Sequence, residues 1–259
     1  MLTHPTLDQL NTLGLYAMAK AFIDVEAKLE AKELTHAEWL GLLLDREASA
    51  RRQKRLHYRL RHAKLRQDAC IEDVDYKSPR GLDRALFAKL AEGAFIDEHA
   101  NLIITGPAGV GKSWLACALG HKAARDNHSV LYKRVSRLFA ELALSRGDGR
   151  HARLLRSLAR VDLLILDDWG LEPLDASMRR DLLEILDDRH GRNSTLVTSQ
   201  LPVDSWHTFI ADPTYADAIL DRIVHNANRI ALQGDSLRKK QPKLRPKQST
   251  NSPVDLTPT

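Results

Sequence analysis

"LIITGPAGVGKS", residues 102–113, runs from an apolar stretch into a glycine-punctuated turn and ends on a lysine and a serine. Gly106, Gly109, Gly111, Lys112 and Ser113 fit the pattern G-x-x-x-x-G-K-[ST]. The glycines let the backbone bend tightly enough for successive N–H groups to point at one anion. A helix that begins near Gly111 or Lys112 adds its positive N-terminal end to the same spot. In such a loop the lysine reaches the β- and γ-phosphates of a nucleotide, and the serine hydroxyl ligates Mg²⁺. The flanks separate it from an ordinary Gly-rich turn: "NLIIT" before it reads as a buried strand, "WLACALGHKAARD" after it as a helix. Gly106, Pro107, Ala108, Gly109, Val110, Gly111, Lys112, Ser113 and Trp114 form the expected cofactor-binding segment. Trp114 is read as packing.

Outward from this loop the pattern alternates. "LDRALFAKLAEGAFI" is helical, "NLIIT" a strand, and the loop leads into its helix. "SVLYKRV" is a second strand, followed by helices in "SRLFAELALS" and "HARLLRSLAR". "VDLLILDD" is a third strand, "MRRDLLEILDDRHGR" a helix and "STLVTSQ" a fourth strand. Continuously apolar strands separated by helices predict an α/β fold, a doubly wound parallel sheet covered on both faces.

The third strand, "LLILDDWG" (residues 163–170), delivers Asp167 and Asp168 at its C-terminal edge, where ligands of such sheets bind. Asp167 is placed to hold Mg²⁺ through a water, and Asp168 to orient or deprotonate the attacking water. "LVTSQ" brings Thr198, Ser199 and Gln200 to the next strand end. Ser199 is the favoured contact to the γ-phosphate or the water, with Gln200 next. In "ADAILDRIVHNANRIAL", Arg222 and Arg229 share one face if the segment stays helical. Arg222 is the candidate to enter a neighbouring subunit's nucleotide site; Arg238, in "GDSLRKK", is a candidate cis contact to the γ-phosphate.

The 259-residue chain has 43% hydrophobic residues, enough for a packed core, and 5% aromatics, too few for base stacking to be the main binding mode. Its net charge of +5 favours an acidic partner where the charge is clustered. It is clustered in "THAEWLGLLLDREASARRQKRLHYRLRHAKLR", a helix expected to start at Thr35 with Glu38 as its capping-box partner. Arg51, Arg55, Arg59, His62 and Arg66 recur at helical spacing, and Arg52, Lys54, Arg61 and Lys64 widen the stripe. Leu56, Leu60 and Ala63 leave only a narrow apolar seam. No acid interleaves from 51 to 66, so the stripe is read as a nucleic-acid backbone contact with weak sequence preference. Lys133, Arg134 and Arg137 are candidates for a second contact.

Residues 1–67 thus read as a small all-α N-terminal domain, 68–238 as the nucleotide-binding core, and 239–259 as a disordered, basic, Pro-rich tail. Residues 68–81 break the helical pattern and read as an extended linker. Two cysteines, Cys70 and Cys117, make no disulfide framework or metal cluster. With no signal peptide and no apolar run near the ~18 residues of a membrane span, a cytoplasmic location is expected.

"GPAGVGKSWLACALG", "LLILDDWGLEPL", "LVTSQLPVDSWH", "DAILDRIVHNANRI" and "GDSLRKK" together resemble the IstB-like ATPases. These are helper proteins of insertion-sequence transposition, related to DnaC-type helicase loaders and DnaA-type initiators of the AAA+ class. The resemblance covers about residues 1–240, including "LDQLNTLGLYAMAKAF". It implies an AAA+ core with Lys112 and Ser113 in Walker A, Asp167 and Asp168 in Walker B, and sensor 1 in "TSQ". It makes Arg222 the arginine finger and Arg238 a sensor-2 candidate. It further implies ATP and Mg²⁺ as ligands, homo-oligomers around duplex DNA, and recruitment and stimulation of a transposase encoded alongside. Asp168 stands where AAA+ proteins usually carry glutamate, which implies slow hydrolysis. The chain leaves no room for a C-terminal helical lid. A DnaC-like helicase loader is the alternative function.

Overall fold

The computed structural model describes residues 4–27 and 34–237; Arg238 and the tail at 239–259 lie outside the described residues. The chain opens with α1 (Pro5–Thr12), α2 (Tyr16–Glu26) and α3 (His36–Ala63). There follow α4 (Arg84–Ala91), α5 (Ala94–Asp97), β1 (Asn101–Thr105), α6 (Lys112–Arg125) and β2 (Val130–Arg134). Next come α7 (Val135–Gly147), α8 (His151–Arg160), β3 (Leu163–Trp169), α9 (Ala176–Arg189) and β4 (Ser194–Ser199). The described core closes with α10 (Trp206–Ile210), α11 (Pro213–Val224) and β5 (Ala227–Ala231).

The five strands form one parallel sheet in the order β2-β3-β4-β1-β5. Alternate side chains of each strand enter opposite layers. Leu102, Ile104, Leu163, Ile165 and Leu196 pack with α4, α5 and α6. Ile103, Leu164, Leu166 and Val197 pack with the helices from α7 to α11. That two-sided burial is why the central strands are apolar without alternation.

Sequence and structure part at three places. The helix expected over 82–96 is divided at Gly93, whose φ of 88° supports a left-handed turn. The stretch "LDQLNTLGLYAMAKAF", within the part read as all-α, is likewise divided at Gly14, with φ 71°, between α1 and α2. The third departure is a fifth strand: α11 stops at Val224 and residues 227–231 pair with β1. Arg229 therefore lies on a strand, and it shares no helical face with Arg222. Among the described residues no lid helix follows β5.

The capping box of α3 forms as the sequence predicts: Thr35 Oγ1 accepts from Glu38 N–H, and the Glu38 carboxylate accepts from Thr35 N–H. Its first half packs with α2 around Leu10, Met18, Phe22 and Leu43. Buried Glu47 of α3 accepts from the N–H groups of Ala17 and Met18, so one helix caps another. Its second half docks on the sheet layer through the narrow seam, with Ala63 fully buried and Leu60 and Leu65 packed beside it. Lys64, at φ 51°, ends the helix there.

Candidate active site

The loop between β1 and α6 is built as its glycines predict. Gly106, Gly109 and Gly111 have φ of 145°, 86° and 98°. A Cβ at Gly109 would stand 2.1 Å from Ser236 Oγ, and one at Gly106 2.4 Å from the Leu232 carbonyl oxygen. Only a side chain reduced to hydrogen fits either place. Gly111 is the N-cap of α6, so the helix's positive end faces the loop. Lys112 is buried, and its Nζ donates to the carbonyls of Gly106 and Pro107 at 2.7 Å each.

The parallel order brings the other residues to this end. β3 and β1 flank β4, so the aspartates and the loop meet over the end of β4. Ser113 Oγ donates to Asp167 Oδ1 at 2.7 Å. Asp167 is fully buried and also accepts from Thr198 Oγ1 and Tyr132 Oη, both at 2.5 Å. Burial and the bond to Asp167 push the Tyr132 phenol above its ordinary range, which keeps it a donor.

Asp168 takes φ 63°, at a break in register between β3 and β4. A non-glycine residue held there stores ~1–3 kcal/mol, a cost concentrated at functional sites. Its N–H donates to Thr198 Oγ1 at 3.1 Å, and its Oδ2 accepts from Arg134 Nε and Nη2 at 2.9 and 2.7 Å. That pairing holds the Arg134 guanidinium more firmly protonated than usual. Arg66 Nη1 stands 4.0 Å from Asp167 and 3.9 Å from Asp168.

A cavity of about 820 Å³ lies over these groups, lined by Lys112, Ser113, Trp114, Arg66, Arg134, Asp168 and Gln200. The linker at 68–81 supplies another wall with Asp73, Asp75 and Arg80. Arg80 is 3% exposed and donates to the carbonyls of Val110 and Asp75, fixing the linker to the phosphate loop. Burial lowers its pKa.

Of the strand-end trio, Thr198 bonds both aspartates. Ser199 is fully buried, donating to the Trp169 carbonyl and accepting from Leu201 N–H, which turns its hydroxyl into the strand ends. Gln200 is exposed and faces the cavity. Arg222 is far from all of them. Its carbonyl accepts from Asn101 Nδ2 at the first residue of β1, and the phosphate loop leaves the other end of that strand. Five residues of strand span about 16 Å. Arg222 Nε is held by Asp187 at 2.5 Å.

The basic residues sort by what they touch. Arg51 pairs with Glu47 at 2.7 Å, and Arg52 donates to Ser49 Oγ. Lys54, Arg55, Arg61, Lys64 and Arg137 are exposed. Arg59, by contrast, donates to the Ala124 carbonyl and to Asn127, on the docked side of α3. Lys133 pairs with Glu141, while Arg134 and Arg66 face the aspartates. Helical spacing alone could not separate the docked side of α3 from its free side. Tyr132 and Arg134 carried a usable signal: two residues apart on one strand, they share a face. Arg66 carried none, because its place depends on how α3 docks.

A phosphate loop after β1, a paired aspartate on β3 and a polar end on β4 define a P-loop nucleotide-binding protein with the AAA+ core. Residues 8–245 match the family of IstB-like ATP binding proteins, and the chain belongs to that family. A Sinorhizobium fredii protein named as an insertion sequence ATP-binding protein is 68% identical over 241 residues, covering 93% of this chain and 98% of the relative. The crystal structure of DnaI aligns with TM-score 0.57 and 28% identity over 64% of this chain and 91% of that one. The DnaC helicase loader shares the fold, with TM-score 0.55 and 20% identity over 66% of this chain and 99% of that one. Among the described residues no helix is long and apolar enough to cross a membrane.

Proposed function

We propose that the protein is a cytoplasmic, ATP-hydrolysing helper of DNA transposition that oligomerises on duplex target DNA and recruits and stimulates a transposase. One observation carries the reading: the helix that presents exposed Lys54, Arg55, Arg61 and Lys64 ends at the wall of the phosphate-loop cavity. A nucleotide pocket and a cationic face joined by one helix suit a switch on DNA. The exposed arginines and lysines serve the phosphate backbone, without base readout.

The cleft fits a nucleotide with Mg²⁺. Its volume is of the size small ligands occupy, the crowded glycines place amides rather than side chains against phosphate, and Ser113 and Asp167 are oxygen donors already 2.7 Å apart. Those two residues would hold Mg²⁺, which supplies charge neutralisation on the β- and γ-phosphates. Lys112 turns from the loop carbonyls to the phosphates. Asp168 accepts the proton of the attacking water as its oxygen bonds to the γ-phosphorus and the bond to the β-phosphate oxygen breaks. Thr198 fixes the backbone of Asp168, and Gln200 reaches the terminal phosphate. Arg222, turned away from its own cavity, acts in a neighbour's site, where such a residue is worth ~10³–10⁵ in rate.

The helicase-loader reading shares this core. It is disfavoured because the likeness to DnaI spans 64% of this chain, too little to take in both the core and the N-terminal helices, whereas the insertion-sequence relative matches 93% of it. The test is ATP turnover across protein concentrations, with and without duplex DNA, for wild type and Arg222→Ala. A rise steeper than proportional on DNA, lost in the variant, supports the reading. Turnover per subunit that stays flat and ignores DNA overturns it.

A further inference from the structure

We propose that Arg66 couples the nucleotide site to the basic helix, so that the state of the nucleotide sets the affinity of α3 for DNA. The inference rests on the DNA-binding reading above and names the residue through which the two ligands communicate.

Arg66 comes three residues after the last residue of α3. Its backbone is fixed at both sides. Ala63 and Ala69 are buried on either side of it, and Leu65 lies against the place where Gly120 of α6 lacks a side chain. The side chain is not so confined. It is 45% exposed, lines the cavity and stands about equally far from the two aspartates, at 4.0 and 3.9 Å. One of those aspartates, Asp167, also accepts from the Tyr132 hydroxyl.

This position responds to the nucleotide by elementary electrostatics. A cation held by Ser113 and Asp167 repels the guanidinium from the carboxylates, and a terminal phosphate beside Lys112 attracts it. Both changes move Arg66 the same way. Arg134 faces the same charges, but it is rooted in β2, which is paired along its length with β3, so its movement stays in the core. Arg66 is rooted at the end of α3, where a shift is passed to the turn at Lys64 and the docked seam at Leu60 and Ala63. By thermodynamic reciprocity, duplex DNA on α3 then changes nucleotide affinity by the same factor. Arg66 is a positioning residue in this scheme.

The experiment measures the dissociation constant of the full-length protein for a fluorescent duplex by anisotropy, with no nucleotide and with saturating ATP and Mg²⁺. It also measures ATP affinity with and without the duplex. Wild type is expected to show at least a ~5-fold ratio between the two states, equal in both directions. Arg66→Ala is expected to reduce both ratios to within about twofold, and Arg66→Lys, which keeps the charge, to restore part of them. Arg55→Ala, on the exposed face, weakens DNA binding equally in both states and leaves the ratio. If Arg66→Ala melts early, Arg66→Gln, which keeps the length and loses the charge, decides. An Arg66→Ala ratio equal to that of wild type overturns the coupling and leaves the DNA-binding reading standing. So does a wild type that binds duplex equally in both states. A wild type that binds no duplex overturns both.

Discussion

Thr198 makes one bond to each aspartate through a single hydroxyl, and removing it isolates what those bonds contribute. In Thr198→Val the side chain keeps its shape and loses the hydroxyl. Asp167 then loses a donor at 2.5 Å, and the N–H of Asp168 loses its acceptor at 3.1 Å. A hydrogen bond to a charged group contributes ~1.5–3 kcal/mol, and a buried donor left unpaired costs ~1–3 kcal/mol. The pair shares one hydroxyl, so about 3–5 kcal/mol is expected, a large share of the ~5–15 kcal/mol that keeps a domain folded. Urea denaturation should show that loss, with a Tm drop on the order of 10 °C. Asp168 already sits at φ 63°, and freeing its backbone lets the strained turn relax. ATP turnover should therefore fall at least tenfold, or ~1.4 kcal/mol in the barrier, when measured well below the melting temperature. Ser199→Ala provides the contrast. Its hydroxyl serves the Trp169 carbonyl and Leu201 N–H, so about 1–2 kcal/mol of stability is lost while turnover stays within twofold. Loss of turnover in Ser199→Ala, with Thr198→Val active and stable, would refute the assignment.

Gly109→Ala forces a Cβ to 2.1 Å from Ser236 Oγ at a φ of 86°, so the loop must open; isothermal titration should show ATP binding weakened at least tenfold. Arg222→Ala leaves the cavity lining intact, so ATP affinity of the isolated subunit should hold while the concentration-dependent part of turnover disappears. Arg51 and the amides of Met18 and Ala17 hold the Glu47 carboxyl below its ordinary value of 4.5. A depressed carboxyl stabilises above the unfolded-state value and ceases to as pH falls through the folded one; acid titration of Trp39 fluorescence should show the N-terminal helices loosening below about pH 4, a step missing in Glu47→Gln.

The parts of the fold that were legible are those in which burial is symmetric or the signal is local. β1, β3 and β4 are buried on both faces and read as apolar runs. β5 is an edge strand in which only Ile230 is buried, so "ANRIA" carries no strand pattern and reads as the tail of amphipathic α11. The capping box of α3 lies within four residues and was visible for that reason. Gly14 and Gly93 break helices because each takes a positive φ, and composition does not distinguish them from Gly41 and Gly120, which stay helical.

The site divides along the same line. The phosphate loop is a property of consecutive backbone, so spacing announces it. The partners of the aspartates are a property of register: Arg134 stands level with Asp167 because β2 and β3 pair in parallel with those residues opposite. From sequence, Arg134 and Arg66 looked like further members of a basic surface. A basic residue belongs to that surface only if the fold supplies no acid to it. Asp167 and Asp168, a hundred residues beyond Arg66, are that acid.

The charges fit the proposed role of the cleft as a reversible switch. Lys112 bonds the loop carbonyls while Arg66 and Arg134 face Asp167 and Asp168, and each of these contacts is one that a nucleotide would exchange rather than create. Carbonyls give up Lys112 to phosphate, and guanidinium groups give up carboxylates to a cation. Such exchanges return only the difference between old and new bonds, in the way a folded protein's hydrogen bonds return only their surplus over water's. On the proposed coupling, binding is then strong enough to move Arg66 and weak enough to reverse. The same balance bears on rate. In the proposed reaction Arg134 competes with the water's proton for Asp168 by holding Oδ2, and charge-assisted bonds of this kind are about twice as strong as neutral ones. On that reading a short aspartate held by a paired guanidinium is expected to make an idle site slow, and whatever draws the arginines away to quicken it.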